Sequence, residues 1–305
     1  MKIIKGLAIL LISLTLNSCF DQPEFPLVPK IDFVDIKFKE GTTTNRTDSL
    51  MLWLDFEDGD GDLGLDPADP FYNSFPFNNL KFFQTAPGGG LAEVNTTVFT
   101  VDHYNKQNQR VNEPYQILQI SDPASGTLVF PRTRKQTGYN NLPVYRDCGP
   151  YEFIRGNFAI EVKNAAVLGQ NASVDTLFTR NGNNKVATHY VIRDTLLFEV
   201  NPRHYNIEVD FLVKDPGHPN ADQTGFYRFD WRAEFCQQDL DGRFPVLTDK
   251  EGPLEGTLRY AMTTIGFKRI FTIKTMKLRV KIRDLAGNES NEIETQEFTL
   301  DSIRI

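Results

Sequence analysis

The chain has 305 residues, a net charge of -7, 12% aromatic residues and three cysteines. That length fits one large domain or two of ordinary size. A mildly acidic balance without clustered Lys/Arg argues against nucleic acid as a partner, because phosphate binding needs such clusters.

The start, MKIIKGLAILLISLTLNSC, carries Lys2 and Lys5 ahead of an apolar run from Leu7 to Leu16. A charged beginning and a run too short to span a bilayer predict a secretory signal peptide over residues 1–18. The run closes in Leu16-Asn17-Ser18-Cys19, which resembles the bacterial lipobox, although Asn17 is less usual there. The resemblance implies cleavage before Cys19, acylation of that cysteine and membrane attachment through more than one acyl chain. Residues 19–30 hold three prolines in FDQPEFPLVPK and read as a stiff, extended tether. Asp21 and Glu24 behind the cysteine partly resemble the export signal of surface lipoproteins of the Bacteroidota. That implies the outer membrane, on the cell-surface face rather than the periplasmic one.

From Lys30 onward the dominant period is two. IDFVDIKFK turns Ile31, Phe33, Ile36 and Phe38 inward, with a phase slip at Val34–Asp35 that predicts a bulge. SLMLWLDFE is a second strand. The middle, roughly 66–200, offers NLKFFQ, TTVFTVD, YQILQI, TLVF, NFAIEV and KVATHYVI as strands between polar loops. NIEVDFLV places Ile207, Val209, Phe211 and Val213 on one face. FYRFDWRAEF alternates Tyr227, Phe229, Trp231, Ala233 and Phe235 against charged residues and predicts a strand with Trp231, like Trp53, in the core. MKLRVKIRD buries Met276, Leu278, Val280 and Ile282, and EIETQEFTL closes the chain as a last strand.

Strict alternation marks antiparallel sheets with one wet face. Turn clusters such as APGGG and DPGHPN between the strands predict an all-β chain of the β-sandwich type. Either there are two sandwiches, 31–190 and 191–305, or one sandwich carries a long insertion; two is the preferred reading.

LDFEDGDGDLGLD, residues 54–66, interrupts this pattern with crowded carboxylates. Asp58, Asp60 and Asp62 match the first three ligand positions of an EF-hand loop, with Asp66 and Asp69 at the ninth and twelfth. Leu63 stands where that loop needs glycine, and the flanks read as strands, so this is not an EF-hand. Oxygen-only ligands without His or Cys favour Ca²⁺ over zinc. A solvated acidic turn is the alternative, opposed by the rise in pKa that uncompensated neighbouring carboxylates impose on one another.

The loop Asp58–Gly64 behind a strand, together with the D-x-A-G-N-x-S-N turn from Asp284 to Asn291, resembles immunoglobulin-like modules of Bacteroidota surface lipoproteins. The resemblance implies an immunoglobulin-like β-sandwich used for adhesion or scaffolding. Should the two loops meet at one pole, Asp284 and Asn288 would complete the cage.

Export favours a Cys148–Cys236 disulfide, with two buried thiols as the alternative. Asp-Ser/Thr-aliphatic triplets at Ser49, Thr176, Thr195 and Ser302 resemble the O-glycosylation acceptors of these bacteria. The four histidines are scattered, His189 and His204 read as edge or surface positions, and no nucleophile or metalloprotease motif occurs, so an enzyme is not expected. The composite expectation is a lipid-anchored, calcium-stabilised, non-catalytic binding or scaffolding subunit. Its expected partner is an outer-membrane β-barrel machine for uptake, secretion or barrel assembly, with a cell-surface glycan-binding protein as the alternative.

Overall fold

The computed structural model describes residues 24–305 except 43–45, 101–102, 112–113, 121–125, 144–151, 170–173, 182–183, 236–238, 249 and 251. Strand makes up 46% and helix 13%, which places the chain in the all-β class. Two bodies of strands each enclose a core of their own.

The first body uses both ends of the chain. β1 (Lys30–Lys39), β2 (Asp48–Asp58) and β13 (Leu254–Thr264) form one antiparallel sheet in the order β1-β2-β13. β11 (Ile207–Lys214), β12 (Phe226–Arg228), β14 (Met276–Ile282) and β15 (Ile293–Glu294) form a second, in the order β12-β11-β14-β15. Their inner faces share one core containing Ile31, Leu52, Leu54, Val209, Phe211, Leu278 and Val280. Period two explains this: inward residues of β11 and β14 are all buried, and the outward ones, Leu212 excepted, stay at least partly exposed. The bulge falls between Phe33 and Asp35, where the register with β2 shifts. It keeps Ile31 and Ile36 buried although they are an odd number of positions apart.

This pairing overturns the division at residue 190. β2 pairs along its whole length with β13, so the acidic loop and the C-terminal strands belong to the same body. Residues 80–200 are an insertion, the arrangement the sequence left as the second possibility.

The insertion holds β3 (Leu80–Thr85), β4 (Leu91–Thr100), β5 (His103–Tyr104), β6 (Arg110–Val111), β7 (Pro114–Gln119), β8 (Glu152–Glu161), β9 (Val174–Asn181) and β10 (Asn184–Val200). The ring β3-β4-β7-β8-β10 closes through β3–β10 pairing, Leu80↔Val200 to Phe82↔Phe198, and forms a five-stranded barrel. Phe82, Leu118, Phe158, Ile192 and Leu196 belong to its core. β7 and β8 run parallel, an exception to the antiparallel expectation. β10 is longer than KVATHYVI indicated: it continues to Val200, because its N-terminal half pairs with β9, residues 189–198 pair with β8 and its last three residues with β3.

Several local expectations fail. TLVF forms no strand and keeps only an isolated bridge from Leu128 to Gln84, and EIETQEFTL is a strand only at Ile293–Glu294. The strand β12 stops at Arg228, and Trp231–Phe235 is a helical turn. Asp230 is the reason: its Oδ1 accepts from the amides of Arg232 (3.0 Å) and Ala233 (2.9 Å), a helix N-cap. Trp231 is nevertheless core, packed edge-on to Phe211 at 5.3 Å. Trp53 is not: it lies half-exposed on the outer face beside Arg259.

Candidate metal centre

Asp58 ends β2 in phase with Leu52, Leu54 and Phe56. The alternation that buries those three therefore carries its carboxylate inward as well, and Asp58 is 0% exposed. Both of its oxygens lack a hydrogen-bond partner, as do the buried Oδ1 atoms of Asp60 and Asp62. One carboxylate oxygen from each of the three residues can be chosen so that all lie within 4.8 Å of one another. Two ligands about 2.4 Å from a common Ca²⁺ ion can be no further apart than that.

The backbone around the cluster is tightly held. Gly61 adopts φ 72°, and a Cβ there would stand 2.4 Å from the carbonyl oxygen of Gly252. The amide of Gly252 in turn donates to the carbonyl of Asp60 at 3.1 Å. Leu63, the residue that spoils an EF-hand, is 1% exposed and belongs to the sandwich core.

The second loop comes to the same pole. Leu285 donates its amide to the carbonyl of Asp62 at 3.3 Å, and Ala286 donates to Asp62 Oδ2 at 3.1 Å. Asp284 is buried, and its charge is felt by both Asp58 and Asp62. Its oxygens accept from the backbone amide (2.7 Å) and the side-chain amide (2.8 Å) of Asn288. Asn288 thus orients Asp284, and Asp284 is the fourth carboxylate beside the cluster.

Electrostatics follow from this crowding. Burial, then the charges of Asp60, Asp62 and Asp284, push the Asp58 carboxyl up to about 7, against a small pull from the neighbouring Gly61 amide. That amide does not reach hydrogen-bond geometry. Burial first, then Asp284 and Asp60, lift Asp62 to about 6, with the Ala286 amide opposing. An acid cluster of this kind is uncomfortable alone and chemically suited to a hard cation: every donor is an oxygen, and a positive ion would cancel the repulsion.

Asp66 and Asp69 do not join it. Asp66 Oδ1 accepts from the Ala68 amide at 2.8 Å, and Asp69 caps the 3₁₀ turn Pro70–Asn73 through the Phe71 amide at 2.8 Å. Both are turn-formers that happen to continue the acidic spacing.

The remaining sequence candidates are dispersed. Cys19, Cys148 and Cys236 lie outside the described residues. Ser49, Thr176 and Thr195 sit half-buried within strands; Ser302 is exposed in a terminal turn, its hydroxyl donating to the Thr299 carbonyl. His204 is not a surface strand residue. It lies half-buried where the insertion leaves the sandwich, in contact with Arg243 and with its Nδ1 2.9 Å from the Phe77 carbonyl. Burial pushes its imidazole down to about 4. This junction was not anticipated: Arg243 donates to the carbonyls of Tyr72 (2.6 Å) and Phe77 (2.7 Å) and to Asn73 Oδ1 (3.0 Å). Nothing in the local sequence marks Arg243, because its partners lie far away along the chain.

No family model matches the chain, and neither a curated protein nor a solved structure does.

Proposed function

We propose that the chain is an exported, lipid-anchored, non-catalytic binding or scaffolding module of the outer membrane, built on an immunoglobulin-like sandwich that Ca²⁺ stabilises at one pole. The observation that carries the cation part is Asp58: a fully buried carboxylate with both oxygens unpartnered, facing two further orphaned carboxylate oxygens. A buried charge without compensation is costly, and a divalent ion supplies the compensation. Such a site acts on shape, since cancelling the repulsion fixes the loop between β2 and the turn at 284–288. The signal sequence and Cys19 support anchoring by lipid, and the prolines behind them support a spacer to the folded body. The natural partner is an outer-membrane β-barrel machine, and the position of the module is the cell-surface face.

Titration of Ca²⁺ by calorimetry tests the cation site; absence of heat and of thermal stabilisation at about 2 mM ion overturns it. Affinity purification from mild detergent, with and without EDTA, tests the scaffold role. It is expected to retain a β-barrel partner, and a lone monomer in both conditions counts against the reading.

A second reading, surface glycan binding, draws on one observation. Phe71 is 61% exposed and sits edge-on to Tyr72 at 5.1 Å, with Phe75 49% exposed nearby in sequence, so aromatic faces are open to stacking. Selective hits on a glycan array, lost in Phe71→Ala, promote this reading.

A further inference from the structure

The acidic loop touches a third segment besides the two loops already described. The amide of Gly59, between Asp58 and Asp60, donates to the carbonyl of Pro26 at 2.9 Å. The contact is close enough to exclude any side chain: a Cβ on Gly59 would stand 2.6 Å from the Phe25 carbonyl oxygen and 2.8 Å from that of Pro26. Five residues on, Asn291 holds Ile31 at two points. It accepts from the Ile31 amide at 2.8 Å and donates to the Ile31 carbonyl at 2.8 Å. The end of the tether is therefore pinned by the same two loops that border the carboxylate cluster.

Between those pins the tether has few other holds. Leu27 is 64% exposed and Val28 47% exposed, and of residues 24–30 only Pro29 is buried. Apolar burial thus does little to keep the segment in place, and its docking rests on backbone contacts with the loop. Gly59 lies between two of the clustered carboxylates. A relaxation that spread Asp58 and Asp60 apart would have to move the Gly59 peptide, whose amide holds the Pro26 carbonyl.

We infer that the cation site is also a latch, in which Ca²⁺ held by Asp58, Asp60 and Asp62 sets the Gly59 amide against Pro26 and so docks the membrane tether onto the sandwich. This inference rests on the cation reading of that loop and adds a consequence to it. With the ion bound, the module stands close to its lipid anchor in a defined orientation. With the ion lost, residues 24–29 are released and the spacer gains about 3 Å per residue of extended reach. The orientation that a membrane partner meets then depends on calcium.

Hydrogen exchange on the intact chain in mild detergent tests this, reading the Gly59 amide and the peptide 24–31 in about 2 mM Ca²⁺ and in EDTA. Calcium binding is measured by calorimetry on the same samples. Ca²⁺ is expected to slow exchange at Gly59 at least tenfold and to lower exchange in the peptide 24–31. Gly59→Val is expected to leave the tether unprotected at saturating Ca²⁺ as well as in EDTA, and to weaken calcium binding by no more than the reciprocal coupling, about tenfold. Asn291→Ala, which leaves the acidic loop intact, is expected to raise exchange at Ile31 and weaken the response. Calcium binding without any change at Gly59 overturns the latch and leaves the cation site standing. Protection that survives in Gly59→Val also overturns it. No calcium binding removes both.

Discussion

Ala286 donates its amide to Asp62 Oδ2 at 3.1 Å, across 224 positions of sequence. The bond joins the loop after β2 to the turn after β14, and so one sheet of the sandwich to the other. It also leaves Asp62 Oδ1 free of partners beside the two orphaned oxygens of Asp58. A structural bond on one oxygen and vacancy on the other is how a loop is held in shape while offering a ligand atom.

Asp58→Asn removes a buried charge and little volume. In EDTA at about pH 8 the variant is expected to be more stable than the parent by about 1 kcal/mol or more, because the parent then carries an uncompensated buried carboxylate. In excess Ca²⁺ the order reverses, since the parent gains about 2.7 kcal/mol at a hundredfold excess over Kd and the variant gains less. Thermal denaturation in the two buffers checks both signs. A variant less stable than the parent in EDTA contradicts the account.

The same carboxylates set a pH dependence. Without a cation, Asp58 at about 7 and Asp62 at about 6 lie above their ordinary 3.8. The folded chain then holds more protons than the unfolded chain across that interval, so stability falls as pH rises from about 4 to 7. Asp241, lifted to about 7 mainly by burial, acts in the same direction. His204 acts in the opposite one: its imidazole is lowered to about 4 from 6.5, so stability is lost as pH falls through that range. The difference between parent and Asp58→Asn isolates the cluster. In EDTA the melting temperature of the parent is expected to drop below that of the variant progressively between about pH 5 and pH 8.

Much of the first body, with its two sheets, was legible in the sequence because its strands keep a strict period of two. Ile207, Val209, Phe211 and Val213, and Met276, Leu278, Val280 and Ile282, are all buried as the alternation indicated. The bulge at Val34 was legible as a slip of phase. The strand partners were not. That β2 pairs with β13 rather than closing a first domain depends on contacts some 200 residues apart, which no local pattern carries. Trp231–Phe235 alternates as a strand does, but one capping carboxylate on Asp230 outweighs that pattern. In the acidic loop the spacing singled out Asp58, Asp60 and Asp62, and it could not separate them from Asp66 and Asp69, whose carboxylates cap their own turns.

Arg243 ties the body that holds it to residues 72–77, the segment that leads into the inserted barrel. Arg243→Ala leaves the carbonyls of Tyr72 and Phe77 without this donor and is expected to destabilise the chain by about 2–4 kcal/mol. Because the two cores are separate clusters, the loss is expected to appear as a split of one chemical-denaturation transition into two. Arg243→Lys cannot reproduce the forked contacts and is expected to recover less than half of the loss, about 1 kcal/mol.

The insertion enters and leaves at one point. Asn201 donates its backbone amide to the Asn79 carbonyl at 2.9 Å, and its side chain donates to the carbonyls of Pro76 and Asn78, both at 2.7 Å. The chain ends on either side of residues 80–200 are therefore neighbours, and a short Gly/Ser link can join them without strain. Among the described residues, the core of the first body draws none from that interval: it runs from Ile31 to Leu63 and from Ile207 to Leu300. Replacing residues 80–200 by such a link is expected to yield a folded body that melts in a single cooperative transition. It should also respond to Ca²⁺ as the full chain does, since the carboxylates and both loops remain. Circular dichroism with and without EDTA checks this. A shortened chain that binds a hydrophobic dye and melts without cooperativity shows instead that the barrel is required for the sandwich to fold.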